Sequence, residues 1–321
     1  EIEKMKKFNV SGAVSNTALS KFNLKEGGSP KSFKLFIEGW REEISSPSMD
    51  IGNLIHKYYE DPTIIHKLEF VKPTDSIKKW ADDYLSIIKS DDFPLEKREE
   101  AILESKSRTG VFSNIKKKET ILTKFEEAND YLSYLLDKEN NKDKVIVSSS
   151  EFGHLQNAIA SVSENELASK LLTGGNKEFS FIFEKFGIKI KAIIDNLIVD
   201  DDDKKIYITD IKTTMCGCHE IVNYFSERNY DRQLSLYREG VLSLMKTNKN
   251  IPNYPIECSI VNISLRESKA IVYKFSEESL EIGKKKHDDL LLEIKKHIEI
   301  DEWNKTIEEN KKGFIELWRS C

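Results

Sequence analysis

The sequence has little of what marks several common classes of protein. Its 321 residues include only four cysteines, and no second cysteine pair follows Cys216 and Cys218 at the spacing of a zinc site. No apolar run approaches the roughly 20 residues that a transmembrane helix needs. A Walker-type glycine-rich loop and a Ser-His-Asp arrangement are also missing. We therefore expect no disulfide scaffold, no iron–sulfur cluster, no membrane contact and no nucleotide-driven motor in this chain.

The start of the chain carries no targeting pattern. Residues Glu1 to Lys7 are mostly charged and lack the apolar centre of a secretory signal peptide. Because the first residue is not Met, we expect the chain to begin downstream of a tag, a cleavage site or another domain. A cytoplasmic protein with reduced thiols is the expectation.

The charge of the chain does not by itself indicate a nucleic-acid binder. One third of the residues are charged, yet the net charge is −5. Phosphate contacts depend on local basic patches and not on net charge, so binding to nucleic acid is not excluded. The run Lys116, Lys117, Lys118 is a candidate patch, although three neighbouring lysines are also typical of a solvated helix face.

The hydrophobic pattern divides the chain. Apolar residues at helical spacing predominate in residues 1–150, and one further helix is predicted from the Ser148–Ser150 cap to Gly174. From Glu178 onward, apolar residues alternate with polar ones, which favours strands. The predicted strands are Glu178 to Lys185, Ile188 to Val199, Ile206 to Lys212, Ile256 to Leu265 and Ala270 to Phe275.

This order of elements predicts an α/β (α+β) fold with a central mixed sheet flanked by helices. We expect a single domain over residues 1–321. It would comprise a mainly helical N-terminal part and insertion at about 1–150, a core at about 151–275 and C-terminal helices at about 276–321.

The sharpest signal is a pair of carboxylates in the hairpin around the acidic turn at residues 200–203. If Val199 pairs with Ile206, then Asp195 falls opposite Asp210, and Lys212 projects from the same face as Asp210. Two carboxylates placed so close repel each other, and both interrupt apolar runs where an unpaired charge is costly. A divalent cation would offset the repulsion, and oxygen ligands suit Mg²⁺, with Mn²⁺ as a substitute. The alternative is that both residues simply end strands at the solvent edge.

These residues resemble the PD-(D/E)XK nuclease superfamily, in which an Asp on one strand precedes an Asp-x-Lys on the next. Three further motifs are similar to its RecB-type and exonuclease VIII-like branches. They are a Gly-x-x-x-His helix at Gly52–His56, a Glu-x-Ser strand start at Glu178–Ser180 and a Gln-x-x-x-Tyr helix at Gln233–Tyr237. The resemblance spans Gly52 to Tyr237 and finds no motif in residues 61–150.

The resemblance implies a role for each matching residue. Asp195 and Asp210 would be metal ligands, joined by His56, by the backbone carbonyl of Ile211 and by Glu178 as an outer or second-metal ligand. Lys212 would orient or help to deprotonate the attacking water. Gln233 and Tyr237 would orient the substrate backbone or the lysine. Each of the three helix residues has an alternative role in ordinary helix packing.

The resemblance also implies an activity: Mg²⁺-dependent hydrolysis of DNA phosphodiester bonds. The exonuclease VIII-like branch suggests 5′→3′ digestion of linear duplex DNA, feeding recombination or repair by single-strand annealing in phage or mobile elements. DNA ends, a single-strand annealing protein and further copies of the chain are the expected partners, in a bacterial or phage-infected cytoplasm. Predicted phosphate contacts are Arg108, Lys116, Lys117, Lys118 and Arg232.

Two alternatives stay open at this point. One is a RecB-type or CRISPR-adaptation-type nuclease acting on single strands or flaps, whose relatives often carry four cluster-binding cysteines in a spacing that this chain lacks. The other is a catalytically idle nucleic-acid-binding protein that keeps the fold. Such a protein would be expected to have lost Lys212 or a carboxylate, and all three are present.

Overall fold

A computed structural model describes residues 13–40, 47–68, 73–89, 95–141, 143–248 and 251–313. The chain divides into two compact units. The larger unit comprises Glu1–Glu60 and Gln156–Cys321, and the smaller unit comprises Asp61–Leu155. The sequence predicts one domain with a helical insertion, whereas the structure shows the insertion as a compact unit of its own.

The elements are numbered here in chain order. The helices are α1 (Asn16–Phe22), α2 (Pro30–Ile37), α3 (Pro47–Glu60), α4 (Asp75–Ile88), α5 (Arg98–Thr109), α6 (Lys118–Phe125), α7 (Asn129–Asn140), α8 (Ser149–Ser163), α9 (Glu166–Thr173), α10 (Ile221–Glu227), α11 (Tyr230–Thr247), α12 (Glu277–Ile300) and α13 (Ile307–Lys312). The strands are β1 (Ile65–Leu68), β2 (Val145–Ser148), β3 (Asn176–Lys185), β4 (Ile188–Asp200), β5 (Lys205–Thr214), β6 (Ile256–Ser264) and β7 (Lys269–Lys274).

The larger unit is built on a five-stranded mixed sheet in the order β3-β4-β5-β6-β7. Neighbouring strands are antiparallel except for β5 and β6, which run parallel and are joined through α10 and α11. A parallel pair needs such a crossover, because a tight hairpin reverses the chain. The predicted central mixed sheet flanked by helices is confirmed.

The main hydrophobic core lies between this sheet and helices α1, α11 and α12. Gly240 on α11 sits against β3, where an added Cβ would come within 2.9 Å of the rings of Phe181 and Phe183. A glycine at this point therefore lets α11 approach the sheet closely and fixes the height of its side chains above β4 and β5. Among the described residues, no helix is long and apolar enough to cross a membrane.

The smaller unit has a separate core, in which Trp80 and Phe125 are almost fully buried. The Trp80 indole N–H donates to the Ile102 carbonyl at 3.1 Å, so its polar edge is satisfied. Two short strands, β1 and β2, pair in parallel within this unit. The helical pattern of residues 61–150 did not predict them, because four-residue strands are too short to establish a period.

One predicted helix is divided in two. The sequence favours a continuous helix up to Gly174, whereas the structure ends α8 at Ser163 and starts α9 at Glu166. Asn165 is the reason, because its side-chain oxygen accepts the Ala168 amide at 3.0 Å and caps α9. Its amide nitrogen donates to the Ala270 carbonyl at 3.1 Å, which ties the break to β7.

Candidate metal and nuclease site

The site forms where the ladder between β4 and β5 ends. Val199 pairs with Ile206, as predicted, and the last pair of the ladder is Asn196 with Thr209. One step further, the Asp195 carboxylate accepts the backbone amide of Ile211 at 2.6 Å. The Asp195 side chain thus accepts a hydrogen bond that a backbone carbonyl of β4 would accept if the ladder continued. This hydrogen bond fixes the Asp195 carboxylate next to the backbone of the Asp210–Lys212 segment.

Glu178 lies across from Asp195 on the other side of β4. The β3–β4 ladder pairs Lys177 with Asn196 and Phe179 with Ile194, and it leaves out the position between them. The backbone of Glu178 has a φ of +46°, in the left-handed region that a non-glycine residue rarely adopts. Strain of this kind is costly and often accompanies a functional position. The strained position turns Glu178 out of the ladder beside Asp195.

Helix α3 brings His56 to the same place. Gly52 allows this approach, because a Cβ at this position would lie 2.5 Å from the Thr213 hydroxyl oxygen on β5. Four residues later on the same helix face, His56 places its Nδ1 atom 3.6 Å from an Asp195 carboxylate oxygen. The Gly-x-x-x-His spacing therefore combines close helix packing at Gly52 with a histidine beside Asp195.

Asp210 and Lys212 project toward α11. The Lys212 ammonium lies 2.6 Å from one oxygen of Asp210, and the Gln233 side-chain amide donates to the other oxygen at 2.8 Å. The same Gln233 nitrogen lies 2.8 Å from the Tyr237 hydroxyl. Asp210 is almost fully buried, and these contacts give its oxygens the polar partners that a buried carboxylate needs.

The electrostatics of the site are those of crowded carboxylates. Burial, together with the charge of Asp210, raises the pKa of Asp195 to about 8. Burial also raises the pKa of Glu178, reinforced by the charges of Glu60 and Asp210. Burial lowers the pKa of His56, which favours the neutral imidazole that binds metals. A bound cation would therefore stabilise the ionised carboxylates of the site.

A divalent cation fits this arrangement. His56, Glu178 and Asp195 can each offer one ligand atom, and the three atoms lie within 4.8 Å of one another. The Asp195 carboxyl needs a proton or a cation to remain buried there, as its raised pKa indicates. Carboxylate and imidazole ligands suit Mn²⁺, and carboxylate oxygens suit Mg²⁺. Asp210 and the Ile211 backbone adjoin this group, although the Asp210 oxygens contact Lys212 and Gln233.

Comparison with known proteins assigns the chain to a family. The model of a family described as a PDDEXK-like domain of unknown function (DUF3799) matches residues 15–312. The chain belongs to this family. A candidate exonuclease of Eubacterium rectale, known from a crystal structure, shares 12% sequence identity with a TM-score of 0.48. That match covers 96% of this chain and 90% of the other. No curated protein matches the chain.

In this PDDEXK-like domain one predicted DNA contact is wrong. Arg232 is fully buried within the larger unit, where it forms an ion pair with Glu26. Its guanidinium also donates to Asn16 at 3.0 Å and to Ser20 at 2.6 Å. Arg232 therefore ties α11 to α1 and to the residues after it, and its burial keeps it out of reach of a phosphate. The sequence could not reveal this, because the partners lie more than 200 residues away.

The other predicted DNA contacts belong to the smaller unit and are accessible. Arg108 pairs with Glu104 one helical turn earlier, and Lys118 pairs with Glu99 at 2.6 Å. Lys116 and Lys117 are exposed at the start of α6. These ion pairs lie at the surface and are weak enough to exchange for phosphates. Phosphate contact by these residues stays a prediction.

The motifs missed one neighbour of Lys212. The Lys212 ammonium lies 5.1 Å from the centre of the Tyr230 ring, and Tyr230 is the first residue of α11. A cation held over a ring face keeps its position without losing its charge. Because Tyr230 precedes Gln233 by three residues, helical spacing from the Gln-x-x-x-Tyr motif was the only available signal.

Proposed function

We propose that this protein is a divalent-metal-dependent deoxyribonuclease that digests linear duplex DNA from its ends. The observation that carries the proposal is the convergence of His56, Glu178 and Asp195 beside the Asp210–Lys212 ion pair in a PDDEXK-like domain. Mg²⁺ is the expected physiological ion and Mn²⁺ its substitute. Digestion in the 5′→3′ direction, in phage or mobile-element recombination and repair in the bacterial cytoplasm, is the finer part of the proposal.

Different residues of the site would bind the ion, stabilise charge and position the other side chains. His56, Glu178 and Asp195, with Asp210 and the Ile211 carbonyl beside them, would hold the ion. When bound, such an ion polarises a phosphate oxygen and lowers the pKa of water. Lys212 presents a fixed positive charge and a donor for the attacking water and the scissile phosphate. Gln233 and Tyr237 keep Asp210 oriented, and Tyr230 keeps Lys212 in place.

Covalently closed circular DNA separates end-dependent digestion from internal cutting. We expect Mg²⁺-dependent loss of end-labelled linear duplex, no loss of circles, and no loss of either substrate in EDTA. Asp195→Ala and Lys212→Ala should each lower the rate at least a hundredfold, because each removes a charge that the reaction requires. Asp202→Asn is the matched control, since Asp202 is an exposed carboxylate in the turn of the same hairpin.

The label position fixes the polarity. Early release of a 5′ label supports 5′→3′ digestion, and early release of a 3′ label reverses the direction. Cleavage of circles would contradict end dependence. Equal activity of wild type, Asp195→Ala and Lys212→Ala would overturn the site itself. A further copy of the chain and a single-strand annealing protein are the proposed partners, and size measurement with and without DNA tests the first.

A further inference from the structure

A cavity of about 520 Å³ opens beside the candidate site, on the Lys212 side. His56 and Lys212 form part of its wall, so the cavity adjoins the ligand cluster without any intervening element. Strand β5 continues along it with Thr213 and Thr214, and Asn53 of α3 lies across from them. The volume falls in the range of pockets that hold small organic groups. The cavity is therefore large enough for a nucleotide and begins where the reaction is proposed to occur.

The wall opposite α3 is aromatic and basic. Tyr224 of α10, Arg228 just after it and Tyr230 of α11 line this side. Arg228 lies four residues after Tyr224, and its guanidinium carbon is 5.9 Å from the centre of that ring. Among the described residues that line the cavity there is no Asp or Glu, whereas Arg228 contributes a positive charge and Lys212, paired with Asp210, contributes an ammonium group. The cavity therefore favours an anion that carries a flat ring.

Arg228 forms no ion pair with any of the described residues. Its side chain is exposed, and within the described part of the chain its one recorded side-chain contact is the Tyr224 ring. By contrast, Arg266 on the nearby β6–β7 turn is 3.6 Å from Glu220. The Tyr224 side chain on α10 is 37% exposed. An exposed aromatic ring next to an uncommitted arginine is the arrangement that single-stranded nucleic acids use for stacking and phosphate binding.

We propose that this cavity binds the nucleotide next to the scissile phosphate, in single-stranded form. Tyr224 stacks on its base, and Arg228 binds its phosphate. The base must be unpaired, because a base within a duplex offers its faces only to its stacked neighbours. The inference rests on the proposed nuclease function and makes it more specific: the duplex end has to open by at least one nucleotide before the bond is cut.

Fluorescence anisotropy with a 5′-fluorescein hexadeoxythymidylate tests the cavity without relying on hydrolysis. Ca²⁺ replaces Mg²⁺, so that the carboxylates are neutralised, and a gel verifies that the probe stays intact. The variants are Tyr224→Ala and Arg228→Gln, with Arg266→Gln as the matched arginine control. A second probe of the same length with abasic sugars removes the bases and keeps the phosphates.

The two variants should fail in different ways. Tyr224→Ala should weaken binding of the thymidylate about tenfold and change binding of the abasic probe less than about twofold, since only the base stacks. Arg228→Gln should weaken binding of both probes and reduce the slope of log affinity against log salt by about 0.7, the value for one phosphate contact on a single strand. Arg266→Gln should leave both affinities unchanged.

The inference is overturned if both cavity variants bind the thymidylate within about twofold of wild type, or if wild type does not bind it. Equal losses on both probes for Tyr224→Ala would also contradict it, because they would show that the ring does not read a base. The proposed function is judged separately, by Mg²⁺-dependent hydrolysis. A protein that binds through Tyr224 and Arg228 yet never cleaves DNA would keep the nucleotide-binding cavity, but would lose the nuclease proposal and with it the placement beside a scissile phosphate.

Discussion

At the scale of single residues, the buried carboxylates that we propose as metal ligands lower the stability of the folded protein when no cation is bound. Asp195 is held beside Asp210 and Glu178, and its pKa is raised to about 8 by burial and by the charge of Asp210. The folded protein therefore binds a proton at Asp195 more tightly than the unfolded chain does. The stability that this proton contributes is complete below the unfolded pKa of 3.8 and is lost as the pH rises through about 8.

Asp195→Asn should remove this loss. In EDTA, the unfolding free energy of the wild type should fall between pH 6.5 and 9 by about 1–2 kcal/mol relative to the variant, because each unit of pKa shift corresponds to about 1.4 kcal/mol. Chemical denaturation of both proteins at the two pH values measures this difference. Added Mn²⁺ should stabilise the wild type at pH 8 and have little effect on the variant. Parallel pH profiles would show that Asp195 does not carry the buried charge.

At the scale of elements, the approach of α3 to β5 decides where His56 lies. Gly52→Ala should lower the hydrolysis rate about tenfold, because the new Cβ would lie 2.5 Å from the Thr213 hydroxyl and push the helix away. Removing that hydroxyl should restore the fit, so Gly52→Ala combined with Thr213→Ala should recover most of the rate of Thr213→Ala alone. The complete cycle of four proteins measures this coupling. If the rate losses of the two single variants simply add in the double variant, contact with the Thr213 hydroxyl is not the reason for the glycine at position 52.

A buried histidine between α11 and α12 predicts that the protein loses stability in acid. His287 of α12 is fully buried near Glu239, Asp288 and Lys185. Burial and the Lys185 charge lower its pKa from 6.5 to about 4, although Asp288 acts in the opposite sense. A lowered pKa contributes stability that is complete above pH 6.5 and is lost as the pH falls through about 4.

His287→Gln should therefore flatten the acid side of the stability profile. Between pH 7 and 4.5 the wild type should lose up to about 3 kcal/mol more than the variant, because the variant has no imidazole to protonate. Urea denaturation at several pH values in this window gives the comparison. Equal losses for the two proteins would place the acid-sensitive group elsewhere.

The fold was predictable where the spacing of apolar residues indicated two strands and a turn sequence joined them. The β4–β5 register, which the sequence analysis assumed from the acidic turn, is the one that the structure shows, with Val199 opposite Ile206. A slip of one residue would have put the two carboxylates on opposite faces. The β3–β4 register, which the sequence analysis did not predict, places Glu178 across from Asp195, and the left-handed backbone of Glu178 has no signal in the sequence. Burial of Arg232 and the Tyr224–Arg228 wall depend on partners that are remote in the chain, so residue patterns could not predict them.

At the scale of the whole molecule, the family match covers both compact units. The matched span, residues 15–312, includes the smaller unit at Asp61–Leu155. That unit has its own aromatic core and carries Arg108 and the exposed Lys116 and Lys117. A net charge of −5 is compatible with DNA binding, because the affinity comes from local phosphate contacts. The matched span thus includes the smaller unit, and we propose that this unit contributes contacts to the DNA.

The central claim is that His56, Glu178 and Asp195 hold a divalent ion. Anomalous diffraction from a crystal soaked in Mn²⁺ tests it most directly, because the signal locates the ion independently of any activity. The account predicts a peak within about 2.5 Å of an atom from each of these three side chains, and its loss in Asp195→Asn. No peak at this cluster, or a peak only at Glu239, His287 and Asp288, would contradict it.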